Sequence, residues 1–238
     1  MNKLKNKVFS KGEEKMYSIF FSKIDIVFPL VEERLRKIIS KKNKVVIIPW
    51  SFAVETNADG LDKFFSGRKK DKYFIPLLKL GIEEKNITIL NCYRDNKDYM
   101  IKKIDESDVI ILPGGNPEMF YNKVYECGIS GNIKNYNKII IGESAGTELQ
   151  LNNYFITAKN NYYKKFDWYK GFNIIDDPFY MDVHSSNNYR YLNKLQKTAN
   201  EKNKNIYAIF DDGAIIYDRK NNNLDIIGNV KTFVPNAK

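Results

Sequence analysis

Residues 138–149 read KIIIGESAGTEL, and this stretch decides the fold. The run through Ile141 is continuously apolar, as a strand is when helices cover both faces of its sheet. Gly142-Glu143-Ser144-Ala145-Gly146 then fits G-x-S-x-G, a sharp strand-to-helix turn that exposes a serine hydroxyl. The glycines suit a strained backbone whose flanking chain passes close by. A helix starting behind Ser144 would turn its free N–H groups and positive dipole end towards a developing oxyanion. A tight glycine-rich turn with no chemistry is the competing reading. The strand directly before the motif and the helical pattern directly after it favour the elbow.

The same alternation extends on both sides. SIFF (18–21) reads as a first strand, and 25–40 carries apolar residues at helical spacing with Pro29 in the first turn. VVIIPW (45–50), NITILNC (86–92) and VIILPGG (109–115) are further apolar runs, separated by helical patterns within 60–80, near 97–104 and from Pro117. This predicts an α/β fold: a three-layer, doubly wound, mostly parallel sheet. Ligands in such folds bind at the carboxyl ends of the strands. Towards the end, 187–201 reads as a helix, and IYAIF (206–210), AIIYD (214–218) and LDIIGN (224–229) as strands. An Asn-rich turn joins the last two, so the sheet is expected to end antiparallel. Residues 1–16 are polar and expected to be a loose extension, with 17–238 forming one domain.

Composition narrows the class. With 43% hydrophobic residues the chain is globular, and no apolar run is long enough to cross a bilayer. The first residues lack the apolar core of a signal peptide, and two cysteines, Cys92 and Cys127, imply no disulfide framework. A cytoplasmic protein is expected. The net charge of +10 comes from lysines scattered among asparagines, with no basic stripe, so neither a nucleic-acid nor a membrane partner is expected.

Three further groups carry chemistry. Gly114-Gly115-Asn116 follows a strand; Asn116 can cap the next helix with Pro117 at its first position, while the glycines let backbone N–H groups approach a ligand. The N–H of Gly115 with that of Ala145 would make a two-donor oxyanion hole. His184 is the only histidine, and a serine nucleophile needs a base of its kind. Asp211-Asp212-Gly213 follows IYAIF; a carboxylate there can orient an imidazole, or the residues can form a β-turn.

The order serine, histidine, acid differs from that of the α/β-hydrolases. Together with IIPW, ILPGGNPEMFY, IIIGESAGTEL, MDVH and AIFDDGAIIYD, it resembles the serine peptidase family of aspartyl dipeptidase (dipeptidase E) and cyanophycinase, over about residues 18–230. The resemblance implies a class I glutamine amidotransferase-like, flavodoxin-like fold with serine in place of cysteine. It implies a peptidase of small peptides acting through an acyl-enzyme, with no cofactor or metal. Ser144 would be the nucleophile, His184 the base, and Asp212 would stand where a glutamate precedes glycine, with Asp211 the alternative. Gly115 and Ala145 would form the oxyanion hole, and Gly114, Asn116 and Arg190 would line the substrate site. Thr147 replaces a usual alanine, and Ser185-Ser186 a common aromatic. Another serine acyl hydrolase, an esterase or amidase, and a catalytically silent binding protein are the alternatives; a homodimer is left open.

Overall fold

A computed structural model of the chain describes residues 15–51, 57–157 and 163–236. The predicted loose extension therefore lies outside the described residues up to position 14. In chain order the elements are β1 (Tyr17–Phe21), α1 (Ile24–Ile38), β2 (Val45–Ile47), α2 (Ala58–Phe64), α3 (Gly67–Lys79), β3 (Ile87–Ile89), α4 (Lys97–Glu106), β4 (Val109–Leu112), α5 (Pro117–Glu126), α6 (Ser130–Lys134), β5 (Ile139–Glu143) and α7 (Ala145–Glu148). They continue with β6 (Asn153–Ile156), β7 (Asp167–Lys170), β8 (Tyr180–Asp182), α8 (Tyr189–Lys202), β9 (Ile206–Asp218) and β10 (Asn223–Phe233).

The main sheet has the order β10-β9-β1-β5-β4-β2-β3. From β1 to β3 every pairing is parallel, while β9 is antiparallel to both β1 and β10. The alternation of side chains along each strand explains the unbroken apolar runs. Ile19, Phe21, Val45, Ile47, Val109, Ile111, Ile139 and Ile141 face a layer that includes Val27, Val31 and Leu35 of α1 and Phe74 and Leu77 of α3. Phe20, Val46, Ile110, Leu112 and Ile140 face the opposite layer, with Met100 and Ile104 of α4, Phe120 and Val124 of α5, and Leu195 and Ala199 of α8. Strands buried on both faces have no polar side to show in the sequence.

Three local expectations are corrected. Helix α1 begins at Ile24, so Pro29 lies inside it and not in its first turn. IYAIF and AIIYD are one continuous strand of 13 residues, so Asp211-Asp212-Gly213 is no β-turn. Along one edge, Ile206–Ala208 pairs with β8 and Ala214–Asp218 with β1, leaving the middle of β9 open between them. Residues 153–156 and 167–170 form a separate antiparallel pair that the periodicity does not reveal. Among the described residues, no helix is long and apolar enough to cross a membrane.

Candidate active site

Ser144 joins the end of β5 to α7 with φ 49° and ψ −113°, a backbone conformation that a non-glycine residue holds only when its surroundings impose it. Those surroundings are visible. The Ser144 N–H donates to the Phe21 carbonyl at 2.8 Å. A Cβ on Gly142 would lie 2.3 Å from the Gly146 carbonyl oxygen, and one on Gly146 only 1.8 Å from that of Leu112. The buried Thr147 hydroxyl lies 2.9 Å from the carbonyl oxygens of both Phe21 and Gly142 and accepts the Phe21 N–H at 3.1 Å. The residue that departs from the family pattern thus laces β1 to the elbow. The expected helix behind the serine spans only Ala145–Glu148. A helix this short offers local N–H groups at its start, such as that of Ala145, and not a long helix dipole.

His184 follows β8 and is held by its backbone: its N–H donates to the Ser22 hydroxyl at 3.0 Å, which in turn donates to the Ile209 carbonyl at 2.7 Å. Ser22 thus ties together the segments after β1 and β8 and the middle of β9. His184 Nε2 lies 2.8 Å from Ser144 Oγ, and its Nδ1 lies 2.7 Å from Asp211 Oδ1. The other oxygen of Asp211 meets Lys23 Nζ at 2.7 Å. Partial burial opposes ionisation of Asp211, but the hydrogen bonds from Lys23 and His184 win and hold its carboxyl below the usual range.

The acid at the histidine is Asp211, and Asp212 is corrected on that point. Successive strand residues point to opposite faces, so only one of the two can meet the imidazole. Asp212 is the exposed member of the pair.

On the other side of Ser144 runs the turn after β4. Gly115 has φ 142°, in the region that favours glycine, and a Cβ there would sit 2.5 Å from the Ser51 carbonyl oxygen. Gly114 approaches Ser144 so closely that an added Cβ would be 3.0 Å from the serine Cβ. Among the described residues, no acceptor holds the N–H of Gly115 or of Ala145. The Asn116 side chain caps α5 by accepting the Met119 N–H at 3.0 Å, and its own N–H donates to Ser51 at 2.6 Å. Its expected capping role therefore occupies the side-chain oxygen.

Two cavities meet at Ser144, sharing Gly115 and His184. One, of about 300 Å³, is lined by Lys23, Lys69, Lys72, Tyr73 and Glu143. The other, of about 100 Å³, is lined by Glu148, Thr157, Tyr163 and Asp182. Glu143 is 3% exposed and one cation and two neutral donors surround it: Lys72 Nζ at 2.5 Å, the Ile24 N–H at 3.1 Å and the Tyr73 hydroxyl. Burial, then the charge and hydrogen bond of Glu143, push the Tyr73 pKa well up, so its hydroxyl stays protonated. Arg190 lies near the start of α8 in a third cavity of about 620 Å³, which borders the second through Thr157 and His184. Among the described residues no carboxylate lies within ion-pair distance of Arg190, whereas Lys23 and Lys72 are already paired. Sequence reasoning missed Ser22, Lys23 and Tyr73 and gave the strand-end Ser51 no role. Tyr73 is an ordinary helix residue, the other three lie in the connections after β1 and β2, and each acquires its position only through contacts distant in the chain. Among the described residues no cluster of His, Cys, Asp or Glu is disposed to hold a metal.

A family model described as Peptidase family S51 matches residues 27–224. Among solved structures, a protein provisionally assigned as a peptidase E, from Listeria monocytogenes EGD-e, is 22% identical, with 92% of this chain and 98% of that one covered and a TM-score of 0.62. A peptidase from an acI-B1 Actinobacterium is 14% identical, with 95% and 97% covered and a TM-score of 0.63. No curated protein matches.

Proposed function

The chain belongs to peptidase family S51 and is a serine peptidase, and on that premise we propose that it hydrolyses short peptides through an acyl-enzyme on Ser144. The observation that carries the reading is the unbroken relay from Ser144 Oγ through His184 to Asp211, at 2.8 and 2.7 Å. His184 Nε2 takes the hydroxyl proton as Oγ attacks the peptide carbonyl. Asp211 holds the imidazole orientation and offsets its positive charge. The carbonyl oxygen becomes an oxyanion, which the N–H groups of Gly115 and Ala145 receive. The intermediate collapses as His184 returns the proton to the departing amine. A water, deprotonated by the same imidazole, then releases the acyl group and restores the serine.

The small size of the substrate is supported by what flanks the serine. The cavity carrying Glu148 and Asp182 suits an ammonium group, and Arg190, in the cavity that adjoins it, suits a carboxylate. A short zwitterionic peptide presents both charges within a few residues of the cleaved bond. The location we propose is cytoplasmic, in keeping with two free cysteines.

The test is labelling with a fluorophosphonate, followed by mapping of the modified residue and assay of dipeptide hydrolysis. Label on Ser144, with turnover reduced on the order of 10⁴-fold or more in Ser144→Ala, is the expected result. Label elsewhere, or turnover retained by that variant, overturns the assignment.

A further inference from the structure

Ser51 follows the strand-end sequence IIPW and is 1% exposed, yet the chemistry described above gives it no part. Its hydroxyl donates to the Gly114 carbonyl at 2.5 Å, and its own carbonyl accepts the Asn116 N–H at 2.6 Å. The two contacts bracket the Gly114–Gly115 peptide. That peptide is trans, as are the others described, so its N–H points opposite to its C=O. With the Gly114 carbonyl drawn to Ser51, the Gly115 N–H is turned away from Ser51, and Gly115 lines both cavities that reach Ser144.

The alternative orientation is locally easy. Rotating this peptide over would carry Gly115 from φ 142° back to negative φ, a region open to any residue. It would also aim a carbonyl oxygen at the place where negative charge develops. The hydrogen bond from Ser51 disfavours that state. The other end of the turn is held by Tyr73, whose buried hydroxyl donates to the Glu143 carboxylate and so has a lone pair free to accept the Gly114 N–H at 3.3 Å. Glu143 directly precedes Ser144. One hydroxyl therefore connects the chain segment bearing the Ala145 donor to the segment bearing the Gly115 donor.

We propose that Ser51 is the positioning residue of the oxyanion hole: its hydroxyl holds the Gly114–Gly115 peptide in the orientation that presents the Gly115 N–H to the substrate oxyanion, with Tyr73 setting the spacing to the nucleophile. The inference rests on the reading of Ser144 as the nucleophile. Ser51→Ala removes only the hydroxyl and leaves the backbone contact to Asn116. Loss of a single oxyanion donor lowers turnover about 10²- to 10³-fold in other hydrolases, and a donor misaligned part of the time lowers it less.

The experiment compares the parent protein, Ser51→Ala and Tyr73→Phe in their acylation by p-nitrophenyl acetate and their affinity for phenylboronic acid, whose tetrahedral adduct carries the oxyanion charge. Thermal melting is followed alongside. The expected result for Ser51→Ala is an acylation rate constant about ten- to a hundredfold lower, with boronate affinity reduced by a matching factor, and ester KM and melting temperature nearly unchanged. Tyr73→Phe loses rate in the same direction by a smaller factor. Acylation within twofold of the parent in Ser51→Ala overturns the inference alone. A rate loss with unchanged boronate affinity does so too, because it reports a general disturbance. A parent that neither acylates nor takes fluorophosphonate at Ser144 overturns the peptidase chemistry together with this inference.

Discussion

Asp211 and His184 meet at 2.7 Å where β9 runs between its pairing with β8 and its pairing with β1. Asp212, one residue on, faces the other way. Asp211→Asn is therefore expected to lower kcat about 10²- to 10⁴-fold, since the imidazole loses the partner that fixes its tautomer. Asp212→Asn should change kcat less than about threefold, as an exposed substitution away from the reacting groups does. Steady-state kinetics on the same dipeptide decide between the two carboxylates; equal losses would remove Asp211 from the relay.

The lowered pKa of Asp211 has a consequence for stability against pH. A carboxyl depressed on folding contributes stability that is complete above its unfolded pKa, about 4, and lost as pH falls through the folded value below that. The melting-temperature gap between the parent and Asp211→Asn should close as pH falls below about 4. A gap that widens below that pH would contradict the assigned sign.

Gly146→Ala is the substitution least compatible with the elbow. Its Cβ would stand 1.8 Å from a backbone carbonyl that cannot move without displacing β4. A loss of more than about 3 kcal/mol is expected, seen as failure to accumulate folded protein or as a strongly lowered denaturation midpoint. A normal midpoint would show that α7 and β4 are not packed as described.

Thr147→Ala restores the alanine usual in the family but removes the hydroxyl that serves Phe21 and Gly142. A buried N–H left without its acceptor costs about 1–3 kcal/mol. Urea denaturation should register that loss while the labelling rate at Ser144 changes little. An unaltered midpoint would mean that the backbone closes the gap by itself.

Arg190→Ala tests the reading of the substrate. Its KM for acidic dipeptides is expected to rise about ten- to a hundredfold, the value of a lost charge-assisted hydrogen bond of roughly 1.5–3 kcal/mol. Hydrolysis of a neutral ester should be nearly unchanged. An equal loss on both substrates would assign Arg190 to the folding of α8.

What the sequence determined by itself was whatever is encoded locally. Continuous apolar runs announced strands buried on both faces, and Gly142, Ser144 and Gly146 announced a turn whose steric demands only that spacing meets. A single histidine left no competitor as partner for the serine. The choice between Asp211 and Asp212 was not local. IYAIF and AIIYD look like two strands around an Asp-Gly turn, because neighbouring residues cannot report that β8, β1 and β10 hold the chain straight through it. Nor could periodicity find Ser51, Tyr73 or Lys23. Each meets the site across a large sequence separation, through one polar atom on an otherwise ordinary strand end or helix. Propensity and pattern act over a few residues, whereas hydrogen-bond pairing and alignment act through space, and so only the assembled sheet decided which carboxylate meets His184.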